Sequence, residues 1–408
     1  MTAREYPVFT VTPKAERSLR AGHPWGYGEE VTAVEGAYQN GDMVDVVSNK
    51  GRYLGTGWVN DHSKIRVRII SRNANDTFDE AFFRRRVCYA LNYRKTVMGP
   101  ADYRCCRLIF GEADQFPGLT VDRFENILVT QVLSLGMERR KDWVYRALVE
   151  LLREDGEQID AIYERNDVTI RTLEGLEQGK GFYQMEGLRT DLSGHVTITE
   201  NGIKYDVDYI EGQKTGFFLD QKYNRQAAAK LARGRRVLDC FTHTGAFALN
   251  AAAAGAEHVT AVDVSAFALE LAAENGKRNG LTNLDYKCAD VFDLLTEMAK
   301  EKKCDYDYII LDPPAFTKSR ATAKNAYHGY KEINRKAMRL LPRGGYLATC
   351  SCSHFMTDEM FRKMLQEAAL DAGVTLRQIE ARQQAPDHPI LPGVPETDYL
   401  KFYLLQVV

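Results

Sequence analysis

The stretch Val237-Leu238-Asp239-Cys240-Phe241-Thr242-His243-Thr244-Gly245-Ala246-Phe247 decides how the chain is read. A short apolar run ends in an aspartate. A turn with one glycine follows, and a helix starts at Ala246-Phe247-Ala248-Leu249. Strand, turn and helix in this order aim backbone N–H groups and a helix N-terminus at a ligand. The spacing G-x-G-x-x-G, which lets backbone approach a pyrophosphate, is absent. One glycine preceded by a carboxylate suits a ligand without phosphates and with a cationic amino-acid end, the character of S-adenosylmethionine. The simpler reading of the stretch by itself is an ordinary turn in any α/β domain.

Downstream of residue 235 the pattern alternates strictly. Strands are expected at 235–239, 258–263, 284–288, 306–312 and 345–351. Helices are expected between them, and two last strands near 375–382 and 398–407. Such alternation predicts an α/β domain with a parallel, doubly wound, seven-stranded sheet, whose ligands bind at the carboxyl ends of the strands. Asp239, Asp263, Asp290 and Asp312 fall at or just past four of those ends. One such aspartate needs no explanation, since aspartate caps helices. Four on successive strands exceed what capping needs. Asp263 fits an acceptor for ribose hydroxyls, Asp290 one for an adenine amino group, and Asp239 one for an ammonium.

Two further segments carry chemistry. In Leu311-Asp312-Pro313-Pro314-Ala315-Phe316, the prolines stiffen the backbone after a strand. Asp312 can there hold a heterocyclic base by its amino edge, with Phe316 near enough to stack. Thr349-Cys350-Ser351-Cys352-Ser353 ends the next strand, and a thiolate at that place can act as a nucleophile. Cys350 and Cys352 share a face if both stay in the strand.

At 408 residues the chain suggests two or three domains. With 54 basic and 56 acidic residues it has no global basic excess, so any nucleic-acid surface must be local. The first twelve residues lack a secretory pattern, and no apolar run is long enough to span a membrane. The 8 cysteines have no zinc spacing, which gives no metal site and, with no signal, reads as a reduced, cytoplasmic protein. Residues 1–72 look β-rich. Lys64, Arg66 and Arg68 share one strand face beside Lys14, Arg17, Arg20 and Trp25, while Ile65, Val67 and Ile69 face a core. That cationic face can hold RNA phosphates and stack a base, although from charge alone a solvated strand face is the better reading. Residues 73–190 read as an α+β module, with helices at 78–98 and 138–152 and strands that include 161–164 and 168–171. Around Asn201-Gly202 the alternation marks a type I′ hairpin at 196–210, the lead-in to a third region at 191–408.

Taken together, these residues carry a family likeness over nearly the full length. Gly22-His23-Pro24-Trp25, Gly111-Glu112 with Pro117-Gly118-Leu119-Thr120-Val121-Asp122, Phe218-Leu219-Asp220-Gln221 with Asn224-Arg225, the Asp239-to-Phe247 stretch, Asp312-Pro313-Pro314, Ser351-Cys352-Ser353 and Asp387-His388-Pro389 stand in order. The chain resembles the three-domain class I methyltransferases of large-subunit ribosomal RNA, in the branch that makes 5-methylcytosine. The resemblance implies an N-terminal PUA domain, a central α+β domain and a C-terminal Rossmann-like domain that binds S-adenosylmethionine. It implies a cofactor set of Gln221, Asp239, Phe241, Thr244, Gly245, Asp263, Asp290, Asp312 and Pro313. RNA contacts would come from Lys14, Arg17, Trp25, Lys64, Arg66 and Phe316. For the nucleophile it favours Cys352 in Ser-Cys-Ser, whereas the Thr-Cys-Ser string of more distant enzymes would select Cys350. Ribosomal RNA or a pre-ribosomal particle is the implied partner, without a membrane, and pairing of edge strands leaves a homodimer open. The implied reaction is covalent: a cysteine adds to carbon 6 of cytosine, and Asp312 serves the N3 and amino edge. An amino-nitrogen methyltransferase, a nicotinamide oxidoreductase and a non-catalytic RNA-binding protein are the competing readings.

Overall fold

The computed structural model describes residues 5–301, 304–317 and 319–408. They divide into two compact units: one holds the chain up to Ile198 with 207–219 and 386–397, the other holds 199–206, 220–385 and 398–408.

The first unit begins with β1 (Val8–Val11), α1 (Pro13–Arg20), β2 (Trp25–Tyr27), β3 (Val31–Glu35), β4 (Met43–Ser48), β5 (Tyr53–Val59) and β6 (Ile65–Ser71). The strands form one sheet in the order β2-β6-β5-β4-β1-β3. Alternate residues supply its core: Phe9, Val11, Val44, Val46, Val67 and Ile69 pack with Ala15 and Leu19 of α1. Gly57 is required where β5 meets β6, because a Cβ there would lie 1.9 Å from the Arg68 carbonyl oxygen. The cationic face expected on β6 is interrupted. Arg68 is buried, and its guanidinium pairs with Glu174 at 2.7 Å and with Glu112 at 3.6 Å.

The same unit continues through α2 (Glu80–Val97), β7 (Cys105–Phe110), β8 (Leu119–Phe124), β9 (Ile127–Val132), α3 (Leu135–Glu138), α4 (Lys141–Glu154), β10 (Ala161–Asn166) and β11 (Gly179–Phe182). Asp79 caps α2 by accepting the Phe82 N–H at 2.9 Å. The sheet order is β11-β10-β9-β8-β7. Two expectations are corrected here. The helix expected at 138–152 is two helices, with Arg139 and Arg140 between α3 and α4. The strand expected at 168–171 is a tight helical turn, Thr169–Glu174. Its Arg171 turns inward, donating to the Glu177 carbonyl at 2.7 Å and pairing with Glu138 at 3.1 Å, and an extended strand would not deliver that guanidinium.

A hairpin of β12 (His195–Glu200) and β13 (Ile203–Asp208) has its tip in the second unit. Asn201 and Gly202 have φ of 53° and 81°, the two left-handed residues of a type I′ turn. Then follow α5 (Lys222–Ala229), β14 (Arg236–Cys240), α6 (Ala246–Ala253), β15 (His258–Asp263), α7 (Ala266–Arg278), β16 (Leu284–Cys288) and α8 (Val291–Glu301). The rest is β17 (Tyr308–Leu311), α9 (Ala323–Leu340), β18 (Tyr346–Ser351), α10 (Asp358–Ala372), β19 (Leu376–Arg382) and β20 (Lys401–Val407). The seven-stranded sheet runs β16-β15-β14-β17-β18-β20-β19. It is parallel from β16 to β18, but β20 enters antiparallel between β18 and β19, a departure from the all-parallel expectation.

The inner strands β14, β15, β17, β18 and β20 are buried on both faces and read as near-continuous apolar runs, while the edge strands β16 and β19 carry exposed polar residues. Leu238, Ile309, Leu311 and Leu347 face α9 and α10, while Val237, Ile310, Ala348 and Cys350 lie with residues of α5 and α6. Chain order reverses between β14 and β17, so a crevice opens at their carboxyl ends. The hairpin tip is tied to α5 by an ion pair with almost no exposure: Arg225 Nε and Nη2 donate to the two oxygens of Glu200 at 2.6 and 2.8 Å. Replacing Arg225 by Met leaves a buried carboxylate without its partner. Urea denaturation of Arg225→Met is expected to show a loss of roughly 3–5 kcal/mol, and a change within 1 kcal/mol would show that the pair is dispensable.

Candidate active site

The turn between β14 and α6 is built around Asp239. This residue has 0% exposure, and its Oδ2 accepts from Thr242 Oγ1 at 2.5 Å and from the Ala248 N–H at 2.9 Å. One oxygen thus ties the strand to the turn and to the first turn of the helix. The other, Oδ1, has no partner among the described residues. Burial, then the nearby charges of Asp312 and Asp263, push the carboxyl up to about 7 against the two hydrogen bonds. The turn itself is left-handed at Phe241, His243 and Gly245, with φ of 64°, 49° and 84°. Two non-glycine residues in that region mark stored strain. Gly245 must be glycine for a second reason: a Cβ would come within 3.0 Å of the Ala272 side chain.

Asp263 ends β15 and braces the same turn. Its Oδ2 accepts the His243 N–H and its Oδ1 accepts the Ser265 N–H, both at 2.9 Å. A carboxylate oxygen has a second lone pair, so Asp263 can still accept from a diol. Beside it, Val264 and Phe267 are 73% and 65% exposed, an apolar surface next to an acceptor. Asp290 lies past β16, is exposed, and caps α8 through the Asp293 N–H at 3.1 Å. Thr244 is half-buried on the turn.

On the other side of the crevice, Asp312 follows β17. Its Oδ1 accepts Gln221 Nε2 at 3.0 Å, and Gln221 Oε1 accepts from Asn224 at 2.7 Å. Burial, with the charge of Asp220 behind it, lifts the Asp312 carboxyl to about 6. Pro313 is buried behind it. Phe316 is half-buried, 4.4 Å from Tyr330 and 5.8 Å from Phe292 between ring centroids.

The two cysteines do not share a face, because β18 ends at Ser351 and Cys352 lies beyond it. Cys350 is 0% exposed, and burial, then the charge of Asp312, holds its thiol well above the ordinary range. Cys352 is half-buried in the following loop. Tyr330 and Ser353 share a 2.9 Å hydrogen bond within that loop's surroundings. Lys401, which sequence reading missed, is 4% exposed and donates to the Ser353 and Tyr399 carbonyls at 2.8 and 2.9 Å. Its signal was present as a lone lysine at the start of an otherwise apolar strand, Lys401-Phe402-Tyr403-Leu404-Leu405.

The residues expected to meet RNA in the first unit lie in varied states. Lys14 is exposed and 3.1 Å from Glu30. Arg17 and Lys64 are exposed. Arg66 is held by Asp61 at 2.7 Å and by the Tyr38 hydroxyl at 2.9 Å. Trp25 is half-buried, and its indole N–H donates to Glu112 at 3.0 Å.

A seven-stranded sheet with acids at successive strand ends, and with β20 reversed between β18 and β19, defines a class I methyltransferase. Comparison with known proteins agrees. Residues 9–72 match the PUA-like domain family, and residues 183–405 match the S-adenosylmethionine-dependent methyltransferase family. The chain is 40% identical over 401 residues to ribosomal RNA large subunit methyltransferase I of Pseudoalteromonas atlantica, covering 98% of this chain and 99% of that one. It is 42% identical over 399 residues to the protein of the same name in Shewanella denitrificans, covering 97% and 98%. The fold is shared with a SAM-dependent methyltransferase structure from Streptococcus mutans, with TM-score 0.81, 22% identity, and 98% and 100% of the two chains covered. A methyltransferase structure with bound S-adenosylhomocysteine gives TM-score 0.82, again at 22% identity and with 98% and 100% covered. The chain belongs to the S-adenosylmethionine-dependent methyltransferase family.

The site's donor set fits that cofactor. The orphan oxygen of Asp239 is an acceptor awaiting a donor, Asp263 can take hydroxyls, and the apolar flank at Val264 suits a heterocycle. A raised acid binds its proton more tightly in the folded chain. Stability is therefore fullest below roughly pH 4 and is lost as pH rises toward the folded value near 7. Asp239→Asn mimics the protonated form and is expected to remove a slope on the order of a few kcal/mol between pH 4 and 7. Equilibrium denaturation across that range checks it; identical slopes would show that Asp239 ionises freely.

Proposed function

We propose that this S-adenosylmethionine-dependent methyltransferase modifies large-subunit ribosomal RNA, making 5-methylcytosine through a covalent adduct of Cys352. The substrate class is supported by relatives named for that activity and aligned over 97–98% of the chain, together with a PUA-like domain at 9–72. The observation that carries the chemistry is the contrast between the cysteines. Cys350 is sealed in the sheet with no exposure, whereas Cys352 stands half-buried beyond the strand end, in the loop after β18.

In this reading Asp239, Phe241, Thr244, Gly245, Asp263 and Asp290 hold the cofactor on the β14–β16 side, with Gln221, Asp312 and Pro313 closing the β17 side. S-adenosylmethionine supplies an electrophilic methyl group. Carbon 5 of cytosine is a poor nucleophile until the Cys352 thiolate bonds to carbon 6. The electrons of the 5,6 double bond then become available at carbon 5 as N3 takes a proton. Asp312, with its carboxyl near 6, sits in the range from which it can give that proton and take it back. After carbon 5 is methylated, loss of its proton re-forms the double bond and expels the thiolate. The base must leave its stack to reach this position, with Phe316 beside it. Lys14, Arg17, Trp25, Lys64 and Arg66 contact RNA elsewhere.

Nucleoside mass spectrometry of ribosomal RNA from cells with and without the protein is expected to show 5-methylcytidine only with it; an unchanged level refutes the reading. RNA carrying 5-fluorocytidine should trap wild-type and Cys350→Ala protein covalently, and leave Cys352→Ala untrapped. The reverse pattern moves the nucleophile to Cys350. Full activity in the double variant would favour methylation of an exocyclic amine held by Asp312.

A further inference from the structure

Lys401 is the first residue of β20, and the antiparallel register sets it across from Ser351, the last residue of β18. Its side chain therefore begins where the strand gives way to the Cys352 loop. The ammonium donates to the Ser353 and Tyr399 carbonyls at 2.8 and 2.9 Å. It has no carboxylate within ion-pair distance among the described residues, although it is 4% exposed. A buried cation held only by neutral carbonyls costs folding free energy, and such groups persist where a counter-charge forms during function.

The negative groups whose fields act on this ammonium are Asp398, Cys352 and Asp358, in that order. Asp358, in the first turn of α10, is engaged by the Tyr403 hydroxyl. Tyr330 of α9 reaches the same loop, with its hydroxyl on Ser353. Cys350, on the same strand, is held protonated by burial. His354 follows in the loop, and its Nδ1 is buried without a partner. Of the groups around the loop, Cys352 is the one whose charge the proposed reaction requires. Burial holds the lysine down, at about 8, so it is cationic at neutral pH and gains from a thiolate nearby.

We propose that Lys401 is a positioning residue for the methyl transfer: its buried ammonium fixes the Ser351–Ser353 turn through two carbonyls and stabilises Cys352 as a thiolate. The proposal rests on Cys352 being the nucleophile. A thiolate beside a cation forms at lower pH than a free one.

Peptide-resolved alkylation by iodoacetamide, measured against pH on the full chain, reads the thiol directly. In Lys401→Met the apparent pKa of Cys352 should rise by about one unit or more, and alkylation at pH 7 should slow about tenfold. Lys401→Arg should restore most of the rate, and the acidic limb of the methylation pH profile should move by the same amount. Binding of S-adenosylhomocysteine monitors folding. An unchanged Cys352 profile in a Lys401→Met protein that still binds it overturns the proposal. Loss of that binding in both Lys401→Met and Lys401→Gln marks the residue as a strut of the fold and overturns it too. Should Cys352→Ala retain methylation, the nucleophile assignment fails by itself, while the alkylation profile still decides whether Lys401 acts on the thiol.

Discussion

Asp239 ends an apolar strand with no exposure to solvent, where an isolated carboxylate would cost several kcal/mol or take up a proton. The turn that follows answers that cost. Thr242 and the Ala248 N–H converge on one oxygen, and the strand, the turn and the helix are pinned to a single atom. The cap position of α6 is Gly245, which has no side chain to accept an N–H, so the aspartate from the preceding strand serves instead. Asp263 then braces the same turn from the neighbouring strand through the His243 N–H. The left-handed residues at 241, 243 and 245 are tolerated because these bonds overdetermine the loop. The crevice beside it inherits its shape from this constraint.

Much of this was legible. The alternation after residue 235 located the strands of the large sheet, since inner strands buried on both faces leave continuous apolar runs. Asn201-Gly202 announced its turn by its own backbone preference. The acids were legible as a set, but their individual situations were not. Asp290 caps α8 and Asp239 is sealed inside, and both facts depend on which N–H groups the fold brings near. The order of β20 was hidden for the same reason: a strand's direction leaves no mark on its composition. Arg171 and Arg68 look like surface cations in the sequence, and only their distant partners Glu138, Glu112 and Glu174 reveal them as interior pairs.

The fate of the two cysteines follows from where hydrogen bonding between strands stops. Cys350 pairs with Phe402 across the β18–β20 ladder, so its thiol is fixed within the sheet and raised by burial. Two residues on, the ladder has ended and Cys352 lies outside it, in the loop after β18. A thiol inside a sheet would have to break packing to reach a base, whereas one past the strand end need only turn within its loop. Sealed beside Asp312, Cys350 instead opposes the rise that burial and the Asp220 charge impose on that carboxyl.

Charge in the first unit has to be weighed by partner rather than by count. Arg66 is engaged by Asp61, Lys14 by Glu30, and Arg68 is spent on interior pairs, while Arg17 and Lys64 have no carboxylate partner among the described residues. A phosphate arriving at Lys14 or Arg66 competes with a carboxylate already in place, so it gains only the difference between two ionic contacts. At Arg17 or Lys64 it gains the whole contact and releases a counterion. Lys14 and Arg17 lie on one helix and Lys64 and Arg66 at one strand end. Affinity for a polyanion on this surface is therefore concentrated at fewer positions than the sequence suggests, and acids beside them sharpen where each phosphate can sit. With a net charge of -2 over the chain, nonspecific attraction of a polyanion is weak, so under the proposed RNA reading such placed contacts would carry recognition.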